Sequence, residues 1–188
     1  MTNFLQETEI IDFSNTEIQK LAINLSSNCN TDVDIAKSCF LYVRDNINHS
    51  GDYKDNITTC KASDVLKYKT GWCYAKSHLL AALLRAIQIP AGLCYQRLTI
   101  SDDKPPFCLH GLNAVYLEQY GWYRIDARGN KPGVLAVFTP PIEQLAYPIV
   151  IKGEADLPEI WAEPLAVVVQ ALENGRDYLE VSENLPDI

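Results

Sequence analysis

The chain has 188 residues, 47% of them hydrophobic and 21% charged, with a formal net charge of −8. That size and balance fit a globular protein with a sizeable core. The acidity argues against nonspecific binding to nucleic acid or to an anionic membrane, and no apolar run approaches the roughly 18 residues of a membrane span.

Met1 to Asp12 carries Glu7, Glu9 and Asp12 without a basic cluster, so it does not read as a signal peptide. Residues 1–13 read as an extended leader. Ser14 and Asn15 can cap a first helix with Ile18, Leu21, Ala22 and Leu25 on one face, ended by Ser26-Ser27-Asn28. Thr31-Asp32-Val33-Asp34 resembles a capping box for a second helix bearing Ala36, Phe40, Val43 and Ile47. From Asn48 to Thr59 the chain is polar and reads as a loop, with His49 either exposed or on the rim of a site. Ser63 can cap a short helix, Asp64 to Tyr68, and Gly71 then turns the chain into an apolar helix from Cys73 to about Ile87, stopped by Pro90.

Three strands are expected next: Ala91–Ile100, Cys108–Leu117 and Trp122–Asp126. The last two form an antiparallel hairpin through Glu118–Gly121. The stretches 101–106 and 127–133 read as loops. Beyond them, Pro140-Pro141 breaks the chain, Tyr147–Ile151 reads as an edge strand, Pro158 and Pro164 fit helix starts, and Leu165–Leu172 fits a helix ended by Asn174-Gly175.

The chemistry concentrates at Cys73. The first turn of a helix has unpaired N–H groups and the positive end of the macrodipole, and both favour a thiolate. Cysteine catalysis also needs a base and a group that orients it. His110 and Asp126 supply these from the two strands of the hairpin, Asp126 accepting from one ring nitrogen while the other faces the sulfur. The Cys73 backbone N–H can donate to an oxyanion, and Gln96 on the first strand is the candidate second donor. Against this stands the common fate of cysteine as a core residue. Cys29, Cys39 and Cys94 sit in apolar patterns and read as core. Cys108 shares a strand face with His110 and could line the site or pack. Trp72 could wall a substrate groove or fill the core, whereas Trp122 and Tyr123 read as packing. His78 reads as a hydrogen-bonded structural histidine. Arg128 and Lys131 could recognise a carboxylate, although a solvated loop is the plainer reading.

Without an export signal the six cysteines are expected as reduced thiols in a cytoplasmic protein. Zinc through Cys73, His78, Cys108 and His110 matches none of the usual spacings. No metal and no cofactor is expected.

The run Ala62-Ser63-Asp64-Val65-Leu66, Gly71-Trp72-Cys73, Leu83-Leu84-Arg85-Ala86 and Ile89-Pro90-Ala91, followed by His110 and Asp126, resembles the transglutaminase-like superfamily. Phe40–Ile47, with Tyr42-Val43-Arg44-Asp45, is similar to the helix that family places ahead of its cysteine. The resemblance spans about 35–131 and implies a single α+β, papain-like domain over 1–188, with N-terminal helical and C-terminal extensions. Its central helix would carry the cysteine against an antiparallel sheet. It also implies Cys73 as nucleophile, His110 as base and Asp126 as orienter. The chain departs from the family at Leu112 and Ala114, where an aromatic and an acidic residue are usual, at Ala127-Arg128 in place of Pro-Thr, and at Gln88 in place of glycine. No calcium-ligand spacing is visible. The first functional expectation is an acyl-enzyme hydrolase acting on a peptide, protein or small amide. Acyl transfer to an amine is the alternative, and a non-catalytic binding module that keeps the fold is the third.

Overall fold

The computed structural model describes residues 1–101 and 104–188. Helix α1 (Thr16–Ser26) starts where the Asn15 side chain accepts from the backbone N–H groups of Glu17 and Ile18, and α2 (Asp32–Asn46) where Thr31 accepts from Asp34 N–H. Each cap satisfies a donor that would otherwise be orphaned, an effect of about 1 kcal/mol. The expected 48–59 loop instead contains strand β1 (Asn48–His49) and a one-turn helix α3 (Ser50–Tyr53). Its polar composition hid a pairing that only the distant strand β2 (Thr70–Gly71) supplies, in parallel, with His49 opposite Gly71. Helix α4 (Ala62–Tyr68) begins two residues earlier than a Ser63 cap would dictate. Its cap comes from far along the chain, Asp12 accepting from Ser63 N–H at 2.9 Å.

Helix α5 (Cys73–Ala86) is the centre of the molecule, with every side chain from Cys73 to Arg85 buried. Helices α1, α2 and α4 pack on it, and so do strands β3 (Ala91–Ser101) and β4 (Lys104–Leu117). Burying a leucine such as Leu79, Leu80, Leu83 or Leu84 contributes ~1.5–3 kcal/mol. The polar side chains of α5 are tolerated because each meets a carbonyl: Ser77 that of Cys73, His78 that of Cys60, and Arg85 those of Gln6, Ala91 and Ala162. Arg85 thus ties the leader and the C-terminal segment to the helix. The leader is ordered accordingly: a 3₁₀ turn at Thr2–Leu5, Phe4 edge-on to Trp122, and Ile11 buried.

The sheet runs β5-β4-β3-β8, all antiparallel, with β5 at Gly121–Ile125 and β8 at Ala155–Asp156. The loop expected at 101–106 falls partly outside the described residues, and Lys104-Pro105-Pro106 already belongs to β4. Tyr147–Ile151 is not a strand. The β3 edge is covered instead by β8 and by Trp161, which exchanges two backbone hydrogen bonds with Leu93. Pro140-Pro141 forms the turn of a small hairpin, β6 (Val137–Thr139) and β7 (Ile142–Gln144). Pro158 begins no helix, while Pro164 precedes α6 (Ala166–Asn174), and a further helix, α7 (Tyr178–Glu183), follows. Among the described residues no helix is long and apolar enough to cross a membrane.

Candidate active site

Cys73 enters the site from the β2–α5 turn. Trp72 precedes the helix in extended conformation and offers no side-chain cap, so the first-turn N–H groups stay available to a negative group. Two bonds clamp this end of α5 to β4. Tyr74 donates its hydroxyl to the Leu109 carbonyl, and Gly111 N–H points at Cys73 Sγ from 3.4 Å. The close approach needs a glycine: a Cβ at Gly111 would lie 2.9 Å from Tyr74 Cδ1 and 3.0 Å from Tyr74 Cα.

His110 lies between these two clamps on β4. Its Nε2 is 2.8 Å from Asp126 Oδ2, and Cys73 Sγ lies beside it, within 3.4 Å of the next backbone N–H, that of Gly111. Asp126 follows directly on β5, and its buried carboxylate accepts from two backbone groups besides the imidazole: Arg128 N–H at 3.0 Å and Ala146 N–H at 3.0 Å. Burial opposes its charge, but the imidazole and these N–H donors outweigh burial and lower its pKa. Burial likewise opposes a charged His110. The Asp126 carboxylate and the Cys73 sulfur more than offset it, and the ring's pKa is raised to about 10. A cysteine beside an imidazole that is hydrogen-bonded to a carboxylate is an arrangement able to activate a thiol nucleophile.

Cys73 and His110 line a cavity of about 470 Å³, and Asp126 is buried behind the histidine. Trp72 lines it and also packs in the buried core, and its buried indole N–H has no partner. Cys108 lines it too, half-buried, with its thiol pushed up to about 12 chiefly by burial. Gln96 does not line it: although opposite His110 in the β3–β4 register, its amide donates to the Tyr147 carbonyl and to Asp156. Arg128 is not solvated as the loop reading expected, whereas Lys131 is exposed. The buried Arg128 grips Asp52 with both terminal nitrogens, and Lys131 donates to the same carboxylate at 2.6 Å. Burial opposes the Asp52 charge, yet those hydrogen bonds hold the carboxyl well below its usual range.

Sequence reasoning left His49 open between an exposed residue and the rim of a site, and passed over Tyr147 and Lys76. His49 is buried and lines the cavity. Tyr147 sets its ring edge against His110, centroids 5.1 Å apart. Lys76 lies buried beneath the site and donates to the Ile47 carbonyl at 2.5 Å, and burial lowers its pKa to about 7. Lysine and histidine among apolar helix residues were the available signal for Lys76. For Tyr147 none existed, because its place depends on the return of the β6–β7 hairpin.

A helical layer over an antiparallel sheet, with a cysteine at the helix start facing a histidine–aspartate pair, defines the papain-like class of fold. The family model described as the transglutaminase-like superfamily matches residues 19–127, and the chain belongs to that superfamily. Among solved structures, a candidate cysteine protease from Cytophaga hutchinsonii is similar at 23% identity and a TM-score of 0.52, over 66% of this chain and 40% of that one. The periplasmic domain of TgpA from Pseudomonas aeruginosa, bound to ethylmercury, is similar at 18% identity and a TM-score of 0.50, over 66% of this chain and 46% of that one. This chain therefore matches less than half the length of either. No curated protein matches it.

Proposed function

We propose that the protein is a cysteine-dependent hydrolase that cleaves a peptide or other amide bond through an acyl-enzyme on Cys73. The observation that carries this reading is the 2.8 Å His110–Asp126 hydrogen bond beside Cys73, with Cys73 and His110 both lining the cavity. The Cys73 thiolate attacks the amide carbon, forming the S–C bond and moving the carbonyl π pair onto oxygen. Return of that pair breaks the C–N bond, and the leaving nitrogen takes its proton from His110. Water then gives a proton to His110 while its oxygen bonds the acyl carbon, and the S–C bond breaks to release the acid. Asp126 holds the ring and stabilises its charged form. Both the entry of the substrate and the exit of the acid use the same cavity, whose apolar walls, including Leu98, Val134 and Val150, suit an uncharged side chain beside the scissile bond. Six unpaired cysteines are in keeping with work in a reducing compartment such as the cytoplasm.

The test is the rate of alkylation of Cys73 by iodoacetamide at pH 6, compared with His110→Ala. A rate that falls at least about tenfold in the variant is the expected result for a thiolate held by imidazolium. An equally slow reaction in both proteins overturns the reading. Adding a primary amine to a turnover assay then tells hydrolase from acyl transferase, because only a transferase captures the amine in its product.

A further inference from the structure

An oxyanion formed at Cys73 needs a second donor beside the cysteine's own backbone N–H. The groups around the cavity are mostly committed elsewhere. Gln96 is held by Tyr147 and Asp156, Arg128 and Lys131 are held by Asp52, and Thr99 donates its hydroxyl to Glu154. The Tyr147 ring packs on His110 and so sits on the side of the base.

The Trp72 indole N–H has no partner either, but that nitrogen is itself buried. His49 differs from all of these. It comes from the β1–β2 pair, directly opposite Gly71 and so beside the turn that delivers Cys73, whereas His110 comes from the large sheet. The residue is only 8% exposed, yet it lines the cavity. Its ring is fixed edge-on to Trp72, centroids 5.3 Å apart, and Gly51 leaves room for both: a Cβ there would meet Trp72 at 3.0 Å and His49 Cε1 at 3.4 Å. Nδ1 is buried without a hydrogen-bond partner, and its nearest carboxylate oxygen, Asp52 Oδ2, is 3.7 Å away and already bonded to Arg128. A buried N–H without an acceptor is rarer than a buried lone pair without a donor. The ring proton therefore belongs on Nε2, the nitrogen left to face the cavity. Burial and the neighbouring Arg128 keep the ring neutral, and a neutral imidazole can serve as a hydrogen-bond donor to a developing negative oxygen.

We propose that His49 is the second oxyanion donor of this site, its Nε2–H binding the acyl oxygen opposite the Cys73 backbone N–H. The inference rests on the acyl-enzyme reading above. Two chemistries at the same sulfur separate it from that reading. Alkylation by iodoacetamide joins sulfur to carbon and expels iodide without forming an oxyanion. Acylation by p-nitrophenyl acetate joins sulfur to the carbonyl carbon and places the π pair on oxygen, and its return expels p-nitrophenolate. His49→Phe keeps a ring against Trp72 and removes both nitrogens, while His49→Gln returns a donor.

The expected result for His49→Phe is a p-nitrophenolate burst slowed by about 100-fold, with alkylation within about twofold of wild type. His49→Gln is expected to recover the burst to within about tenfold of wild type. Thermal melts identify any variant that has simply lost its fold, and the Gln variant then carries the comparison. An unchanged burst in His49→Phe overturns the inference and leaves the acyl-enzyme reading standing. Equal losses in burst and alkylation also overturn it, because the residue then acts on the thiol or on the fold. A normal burst with slow later turnover overturns it as well, making His49 a base toward water. A wild-type protein that neither acylates nor alkylates overturns both readings.

Discussion

Replacing Gly111 by alanine tests whether the spacing between α5 and β4 sets the reactivity of Cys73. The new methyl carbon would lie 2.9 Å from Tyr74 Cδ1, 3.0 Å from Tyr74 Cα and 3.2 Å from Tyr74 N. Carbon atoms in contact rest at about 3.5–4.0 Å, so helix and strand must part by roughly 0.5–1 Å. The Tyr74 ring could swing aside, but its Cα and N cannot yield without moving the first turn of α5. That turn holds Cys73, and the Gly111 N–H···Sγ contact of 3.4 Å opens with it. Overpacking of this kind destabilises by about 1–3 kcal/mol, which lowers the melting temperature by roughly 2–12 °C for a chain of this length. The chemical effect is larger, because about 1 Å of misplacement lowers a rate by about 100-fold. Differential scanning fluorimetry reads the first quantity and iodoacetamide alkylation at pH 6 reads the second. If Gly111→Ala melts and alkylates like wild type, the argument that this glycine sets the distance between nucleophile and base is refuted.

Asp126→Asn removes the charge that raises the His110 pKa. The ring is expected to titrate well below about 10 in the variant, as read by NMR of the imidazole nitrogens, and alkylation at pH 6 should fall with it. The same pair shapes stability against pH. The His110 pKa is raised, so its contribution is complete below the unfolded value of 6.5 and is lost as pH rises through about 10. The Asp126 pKa is lowered, so its contribution is present above 3.8 and is lost as pH falls below that. Urea midpoints of the wild type should therefore decline on both sides of that window, and more steeply than those of Asp126→Asn. Parallel curves for the two proteins would contradict the coupling. Arg85→Met strips the donor from the carbonyls of Gln6, Ala91 and Ala162. With each unmet buried acceptor costing about 1–3 kcal/mol, a loss of about 3 kcal/mol or more is expected in urea unfolding, and a loss under about 1 kcal/mol would contradict this role.

Much of this architecture is local and could be read from residue order. Helices α1 and α2 declare themselves by apolar spacing and by Asn15 and Thr31 at their starts. The start of α5 at Cys73 follows from Gly71 ahead of a long apolar run. The hairpin joining His110 to Asp126 follows from two strand-like runs around a short turn, and it alone brings those two residues to adjoining strands. A histidine between polar residues carries no such signal. His49 read as loop because the partner of its strand lies at Gly71, and a parallel pair of two residues leaves no alternating pattern. Gln96 misled for the converse reason. Strand register put it opposite His110, but its amide is taken up by Tyr147 and Asp156 from a segment with no periodicity. The last third of the chain likewise supplies the Ala146 N–H to Asp126 and the Tyr147 ring to His110, through turns whose destinations no local preference encodes. Sequence by itself thus determined α1, α2, α5 and the hairpin that sets His110 beside Asp126, since helix capping, apolar period and hairpin closure act over a few residues. Only tertiary structure decided what surrounds them, because the partner of a buried polar group is whichever distant carbonyl, carboxylate or ring the packing brings within reach.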